Sequence, residues 1–245
     1  MQQKRDNILR GELLCKNFKS RKVVDEASFE VRSGEVVGLL GPNGAGKTTS
    51  FYMMVGLLYP QSGKVFLGSE DITFLPMHKR ARRGISYLPQ STSIFRKLSV
   101  QDNLLSIMEL AGVPRSQRKD FLQDLMKKFQ ISHIALSMGA ALSGGERRRV
   151  EIARSLITSP VFLLLDEPFA GVDPLTVQEI QSLIRNLRDE GLGILITDHN
   201  VRETLGICDR AYVLSQGKII ANGNPQFILA SSLVKEIYLG ENFKL

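Results

Sequence analysis

The chain opens with short runs of β-branched and aliphatic residues separated by turn formers: 13–15, 23–24, 27–31 and, after Ser33-Gly34, 36–40. Runs of this length and composition predict strands. Two more follow, at 63–67 before Gly68-Ser69 and at 85–88 before Pro89. Between Ser91 and about Met138 the apolar spacing changes to threes and fours, as in Val100, Leu104, Leu105 and Met108 and again in Phe121, Leu122, Leu125, Met126 and Phe129. That period predicts an inserted, all-helical lobe. Strand signals return at 161–165 and 194–197, with a helical stretch over 175–190 and Gly191 between them. This is a βαβ pattern, and its continuously apolar strands suit a parallel sheet covered on both faces. Finally, 211–214 and 219–221 flank Gln216-Gly217 as a hairpin.

Composition narrows the picture. A chain of 245 residues with 43% hydrophobic and 23% charged residues is an ordinary globular protein that buries a sizeable core. Cys15 and Cys208 lie far apart with no metal-binding spacing, so neither a zinc site nor a disulfide framework is expected, and a reducing compartment fits. The first ten residues are polar, which predicts no secretory signal. No apolar run approaches the roughly 20 residues that cross a bilayer, so any membrane role is expected to be peripheral. The net charge of +7 favours nucleic acid, anionic lipid or nucleotide phosphate without choosing among them.

The chemistry begins where the 36–40 strand ends. Gly41-Pro42-Asn43-Gly44-Ala45-Gly46-Lys47-Thr48-Thr49 matches G-x-x-x-x-G-K-[ST] in its strand, loop, helix context. The glycines let successive N–H groups face one anion, and the helix that follows adds its positive end. Lys47 is placed to reach β and γ phosphates, and the Thr48 hydroxyl to ligate magnesium. The 161–165 strand ends in Asp166-Glu167, where ligands bind in open α/β sheets. Asp166 fits the magnesium position and Glu167 a general base or orienter of the attacking water. A third element, Leu142-Ser143-Gly144-Gly145-Glu146, carries an S-x-x-E capping box; its two glycines would expose a second set of helix-start amides to an anion.

Together these three elements resemble the ATP-binding cassette (ABC) ATPases over nearly the whole chain. The resemblance implies an α/β P-loop NTPase fold with a mostly parallel core sheet, an N-terminal antiparallel β subdomain and an inserted α-helical subdomain. It implies one domain, in which 1–90 and 156–230 form the RecA-like core and the antiparallel part. Residues 91–155 would form the helical part with the signature segment, and 231–245 a C-terminal tail. ATP and Mg²⁺ are the implied cofactors. Gln90 then fits the Q-loop, which senses the γ phosphate and magnesium; Asp173 fits the D-loop and His199 the switch histidine. Phe18 sits where the family places an aromatic, commonly Tyr, that stacks on adenine. His78 and His133 read as bystanders in turns. One departure is Glu146, where many members have Gln; it leaves the Ser143, Gly144 and Gly145 phosphate contacts intact.

The family further implies a homodimer, in which the 142–146 surface of one chain closes over ATP held by the phosphate loop of the other. Membrane subunits would supply the transport pathway. Within the family, the segments 82–90, 94–100, 145–154, 169–174 and 238–245 are most similar to the ATPases of lipopolysaccharide export. Branched-chain amino-acid import ATPases come next. By that resemblance Phe95 and Arg96 line the groove for a coupling helix of membrane subunits resembling LptF and LptG, with LptC a further candidate. The chain would then be cytoplasmic, on the inner face of the inner membrane. Phe243 and Leu245 are expected to pack and support the complex. The basic groups Lys79, Arg80, Arg82, Arg83 and Arg147, Arg148 and Arg149 lack the interleaved aromatics that stack on bases, so solvated faces or subunit contacts are expected and no nucleic acid partner. Long coiled-coil insertions of the kind found in chromosome-maintenance ABC ATPases are missing.

Overall fold

A computed structural model describes residues 7–240 and 243. Strands β1 (Ile8–Phe18) and β2 (Arg21–Arg32) form a long antiparallel hairpin, and β3 (Val36–Leu40) runs through a loop into helix α1 (Lys47–Val55). Strands β4 (Ser62–Leu67) and β5 (Glu70–Asp71), helix α2 (Met77–Ala81) and strand β6 (Ile85–Leu88) follow. Next come α3 (Val100–Leu110), α4 (Arg115–Lys128), two 3₁₀ turns and α5 (Gly144–Leu156). Strand β7 (Phe162–Asp166), helix α6 (Pro174–Asp189) and strand β8 (Gly193–Thr197) make the βαβ unit. The chain finishes through α7 (Val201–Leu205), the hairpin β9 (Arg210–Ser215) and β10 (Lys218–Gly223), α8 (Pro225–Ala230), α9 (Ser232–Val234) and a wide helical turn at Lys235–Leu239.

The short runs at 13–15, 23–24 and 27–31 belong to only two strands. Their pairing is interrupted by register shifts, and Leu13 and Glu26 have left-handed φ angles of 49° and 53°. Each irregularity breaks the alternation of apolar positions, so one strand reads as fragments.

Two sheets result. One is antiparallel, in the order β2-β1-β4-β5; the other has the order β10-β9-β3-β8-β7-β6, parallel from β9 to β6 with β10 antiparallel at its edge. Every residue of β3, β7 and β8 is buried, which is why these strands are apolar without alternation. Val37, Leu39 and Leu164 face the core that includes α1 and the antiparallel sheet, while Val36, Leu163 and Leu165 face the core built with the helical lobe and α6. A third, smaller cluster joins Leu40 to Val201 and Leu205 of α7 and to Ile228 and Val234 near the C-terminus. Phe243 packs against this cluster, its ring 6.0 Å from the Arg202 guanidinium; Leu245 lies outside the described residues.

Arg80 corrects the expectation of a solvated basic face, because it is fully buried. Its Nε donates to Leu75 O at 2.8 Å, Nη1 to Met53 O at 2.8 Å and Met54 O at 2.7 Å, and Nη2 to Thr73 O at 2.8 Å. A planar fork of donors is suited to gathering the carbonyls that α1 leaves unpaired at its C-terminus.

Candidate active site

Strands β3, β8, β7 and β6 are neighbours, and their carboxyl ends deliver the phosphate loop, Asp198-His199, Asp166-Glu167 and Gln90 to one edge of the sheet. The phosphate loop needs its glycines: Gly41, Gly44 and Gly46 have φ angles of 143°, 76° and 102°. A Cβ on Gly41 would lie 2.1 Å from Leu214 O, and one on Gly46 2.5 Å from Val23 O. Gly41→Ala is therefore expected to distort the loop and weaken nucleotide binding at least about tenfold. Titration with a fluorescent ATP analogue checks this, and an unchanged affinity would contradict it.

Helix α1 starts without a side-chain cap and without an acidic residue in its first turn, so its leading amides and positive end are left for an anion. Ala45 O accepts from Gly217 N at 2.9 Å, which ties the loop to the β9–β10 turn. Lys47 is buried; its Nζ donates to Gly41 O at 2.6 Å and Pro42 O at 3.0 Å. Burial lowers its pKa, opposed by the charges of Glu167 and Asp198. A cleft of about 230 Å³ is lined by residues 43–49 with Arg21 and Glu167. An adjoining hollow of about 460 Å³ shares Arg21, Val23 and residues 43–45 and reaches Gln216 and Ile237. Arg21 escaped the sequence reading; a basic residue three positions after Phe18 was the available signal.

Asp166 ends β7 at 3% exposure, and burial first, then the neighbouring charge of Glu167, raises its pKa. The Tyr87 hydroxyl donates to it at 3.5 Å. A buried carboxylate beside a second carboxylate fits a cation. No cluster of three or more His, Cys, Asp or Glu suited to a metal occurs among the described residues. Magnesium takes few protein oxygens, since phosphates and water complete its shell, so one carboxylate with a hydroxyl and an amide oxygen is a fitting set.

Glu167 adopts a left-handed φ of 45°, with its N–H donating to Thr197 O at 2.7 Å. Its Oε2 accepts from Gln90 Nε2 at 2.6 Å and lies 3.3 Å from His199 Nδ1. His199 Nδ1 is also 3.5 Å from Asp198, a fully buried carboxylate that accepts the amides of Phe169 at 3.2 Å and Asn200 at 2.8 Å. The structure thus brings Gln90, Glu167 and His199 together, beside Lys47 and Thr48.

Ser143, Gly144, Gly145 and Asp173 do not line that cleft. They lie at the starts of two adjoining helices instead. Ser143 caps α5, and Asp173 caps α6, accepting from Thr176 N at 3.0 Å and Thr176 Oγ1 at 2.6 Å. A Cβ on Gly145 would lie 2.3 Å from Thr176 Cγ2, so the starts of the two helices abut. Phe18 is 50% exposed at the end of β1 and lines neither hollow. Phe95 is half-exposed under the Arg154 guanidinium at 4.7 Å, and Arg96 is exposed.

Arg148 is the second correction to the solvated basic face. It is buried in α5 and donates to Pro89 O at 3.1 Å, Asp166 O at 3.2 Å, Glu167 O at 3.3 Å and Glu151 Oε2 at 3.3 Å. Glu151 in turn accepts Ser93 N at 2.6 Å. Helix α5 is thereby fastened to the residue before Gln90 and to the backbone of the carboxylate pair. His133, read as a bystander, lies 4.0 Å from Glu146.

Residues 24–170 match the family model described as ABC transporter. The chain is 57% identical over 240 residues to the lipopolysaccharide export system ATP-binding protein LptB of Haemophilus influenzae, covering 98% of this chain and 100% of that one. It is also 57% identical over 238 residues to LptB of Escherichia coli K12, covering 97% and 99%. Among solved structures it resembles the ADP conformation of MJ1267, an ATP-binding cassette of an ABC transporter, with a TM-score of 0.85 and 31% identity over 96% of this chain and 99% of that one.

Proposed function

This chain belongs to the ABC transporter family, whose ATP-binding subunits hydrolyse ATP, and on that premise we propose that it is the motor of a lipopolysaccharide export transporter. The observation that carries the cargo assignment is identity of 57% to LptB from end to end, with 98% of this chain aligned. No helix among the described residues is long and apolar enough to cross a membrane, so the export pathway falls to other subunits.

In this reading the amides of residues 43–49 and Lys47 hold the phosphates, with Lys47 exchanging the carbonyls of Gly41 and Pro42 for the β and γ phosphates. Thr48, Asp166 and Gln90 would hold magnesium, which neutralises charge on the phosphates when bound. Glu167 orients the attacking water and accepts its proton. His199 and Gln90 fix the Glu167 carboxylate from two sides. Phe18 stacks on the adenine, which its exposed position allows. Ser143, Gly144, Gly145 and Asp173 form one surface outside the cleft, and we assign that surface to the nucleotide of a second, identical chain. The 91–155 lobe is the moving part, joined to the 1–90 and 156–230 core through Gln90 and Arg148.

Phe95 and Arg96, exposed at the foot of that lobe, are proposed to receive membrane subunits of the LptF and LptG type, with LptC in the same complex, at the cytoplasmic face of the inner membrane. Purification of the tagged protein in mild detergent is expected to recover lipopolysaccharide-export membrane subunits; recovery of amino-acid permeases would overturn the cargo assignment. Truncation after Gly240 is expected to reduce assembly with those subunits and impair growth, because it removes Phe243 from the cluster joining β3 to α7. Assembly and growth equal to the full chain would remove that role.

A further inference from the structure

The start of α5 is already occupied by an anion of its own. Glu146 Oε2 accepts the Ser143 hydroxyl at 2.7 Å and the Ser143 amide at 2.9 Å, while the Glu146 amide donates back to Ser143 Oγ at 3.3 Å. A serine hydroxyl has one proton, and here it points at a carboxylate. A phosphate oxygen only accepts, so Ser143 has no proton to offer an incoming γ phosphate until it leaves Glu146. The Gly144 and Gly145 amides, first in the helix, have no intrahelical acceptor. The carboxylate also partly cancels the positive helix end that would attract the phosphate. The hydrogen bonds from the Ser143 hydroxyl and amide hold the Glu146 carboxyl below its ordinary pKa, with smaller help from the charges of His133 and Arg149, and so keep this arrangement in place.

We propose that Glu146 is a positioning residue that acts through Ser143: in the separate chain its carboxylate stands in for phosphate, and so raises the ATP concentration at which two chains close. The inference rests on the two-chain reading above. A glutamine at this position would keep the capping box, since its amide oxygen can accept the same donors, but without charge. Charge-assisted hydrogen bonds are about twice as strong as neutral ones, so the Ser143 proton would be released more readily.

The test uses full-length protein carrying Glu167→Gln, with ATP and magnesium, and follows dimer formation by light scattering across an ATP titration. Adding Glu146→Gln is expected to lower the half-maximal ATP concentration about tenfold. In a Ser143→Ala background the same change should give little of that gain, because the proton to be freed is gone; the four variants form a double-mutant cycle. A Glu146→Gln midpoint that is unchanged or higher overturns the proposal and leaves the two-chain reading standing. A full downward shift that persists without the Ser143 hydroxyl also overturns it, since the effect would then not pass through Ser143. If the Glu167→Gln parent stays monomeric at saturating ATP, the two-chain reading falls and takes this inference with it. A role confined to capping the helix would change thermal stability and leave the midpoint where it was.

Discussion

Glu167→Gln is expected to lower ATP turnover about 10²–10⁴-fold while nucleotide binding survives, and to accumulate an ATP-bound dimer. The carboxylate sits where Gln90 Nε2, 2.6 Å away, and His199 Nδ1, 3.3 Å away, converge on one oxygen. Its backbone is held in a left-handed conformation, with φ at 45°, by the 2.7 Å hydrogen bond from Glu167 N to Thr197 O. Such a conformation costs roughly 1–3 kcal/mol in a residue other than glycine and persists because the surrounding structure imposes it. Glutamine has the same shape, and its amide oxygen can accept from Gln90, so the pocket stays assembled. What disappears is a group able to take a proton from water. Phosphate release measured under saturating ATP, with mass by light scattering, checks both parts. Turnover near that of the parent would remove Glu167 from its assigned role, and a monomer with ATP and magnesium would count against the paired cassettes.

The largest expected loss of stability is at Arg80. Arg80→Met removes four hydrogen bonds to Leu75, Met53, Met54 and Thr73 and leaves those carbonyls facing an apolar side chain. An unsatisfied buried polar group costs about 1–3 kcal/mol, and even with partial rescue by water the sum is expected to exceed about 3 kcal/mol. Burial disfavours the charged guanidinium and lowers its pKa, but arginine remains protonated at neutral pH, so the charge is held by carbonyl dipoles. Arg80→Lys should recover only part of the loss, because a single ammonium cannot reach carbonyls on both sides of the fork. Urea unfolding monitored by circular dichroism gives the difference. A shift below about 1 kcal/mol would show that the α1 carbonyls find other donors. Since α1 also carries Lys47 and Thr48, the methionine variant is expected to bind nucleotide more weakly as well.

Arg80 and Arg148 mark where sequence reading runs out. Both lie in stretches dense with basic residues, and neither apolar periodicity nor charge counting distinguishes a solvated arginine from one that gathers carbonyls across the fold. Their partners are up to 27 positions away for Arg80 and 59 for Arg148. The parallel strands, by contrast, were legible because burial on both faces demands unbroken apolar runs. The phosphate loop was legible because its backbone tolerates only glycine at Gly41 and Gly46. The ends of β6, β7 and β8 carry Gln90, Asp166-Glu167 and His199, and sequence order alone placed these near strand ends. Their meeting on one carboxylate depends on the strand order, which no local pattern encodes. The same holds for the capping box at Ser143: S-x-x-E announces a helix start, but the hydrogen bond from the Ser143 hydroxyl to the Glu146 carboxylate belongs to the folded structure.

The order of strands also bears on how the protein is made. Strand β3, which carries the phosphate loop, pairs with β8 and β9 and with no earlier element of its own sheet. A ribosome therefore releases β3 and the loop after it long before their lateral partners exist, and the strand has no partner in its own sheet until residues 193–215 emerge. Long-range parallel pairing of this kind folds slowly and leaves apolar strand edges open in the meantime. Vectorial synthesis thus completes the sheet around the phosphate loop only after residues 193–215 have emerged.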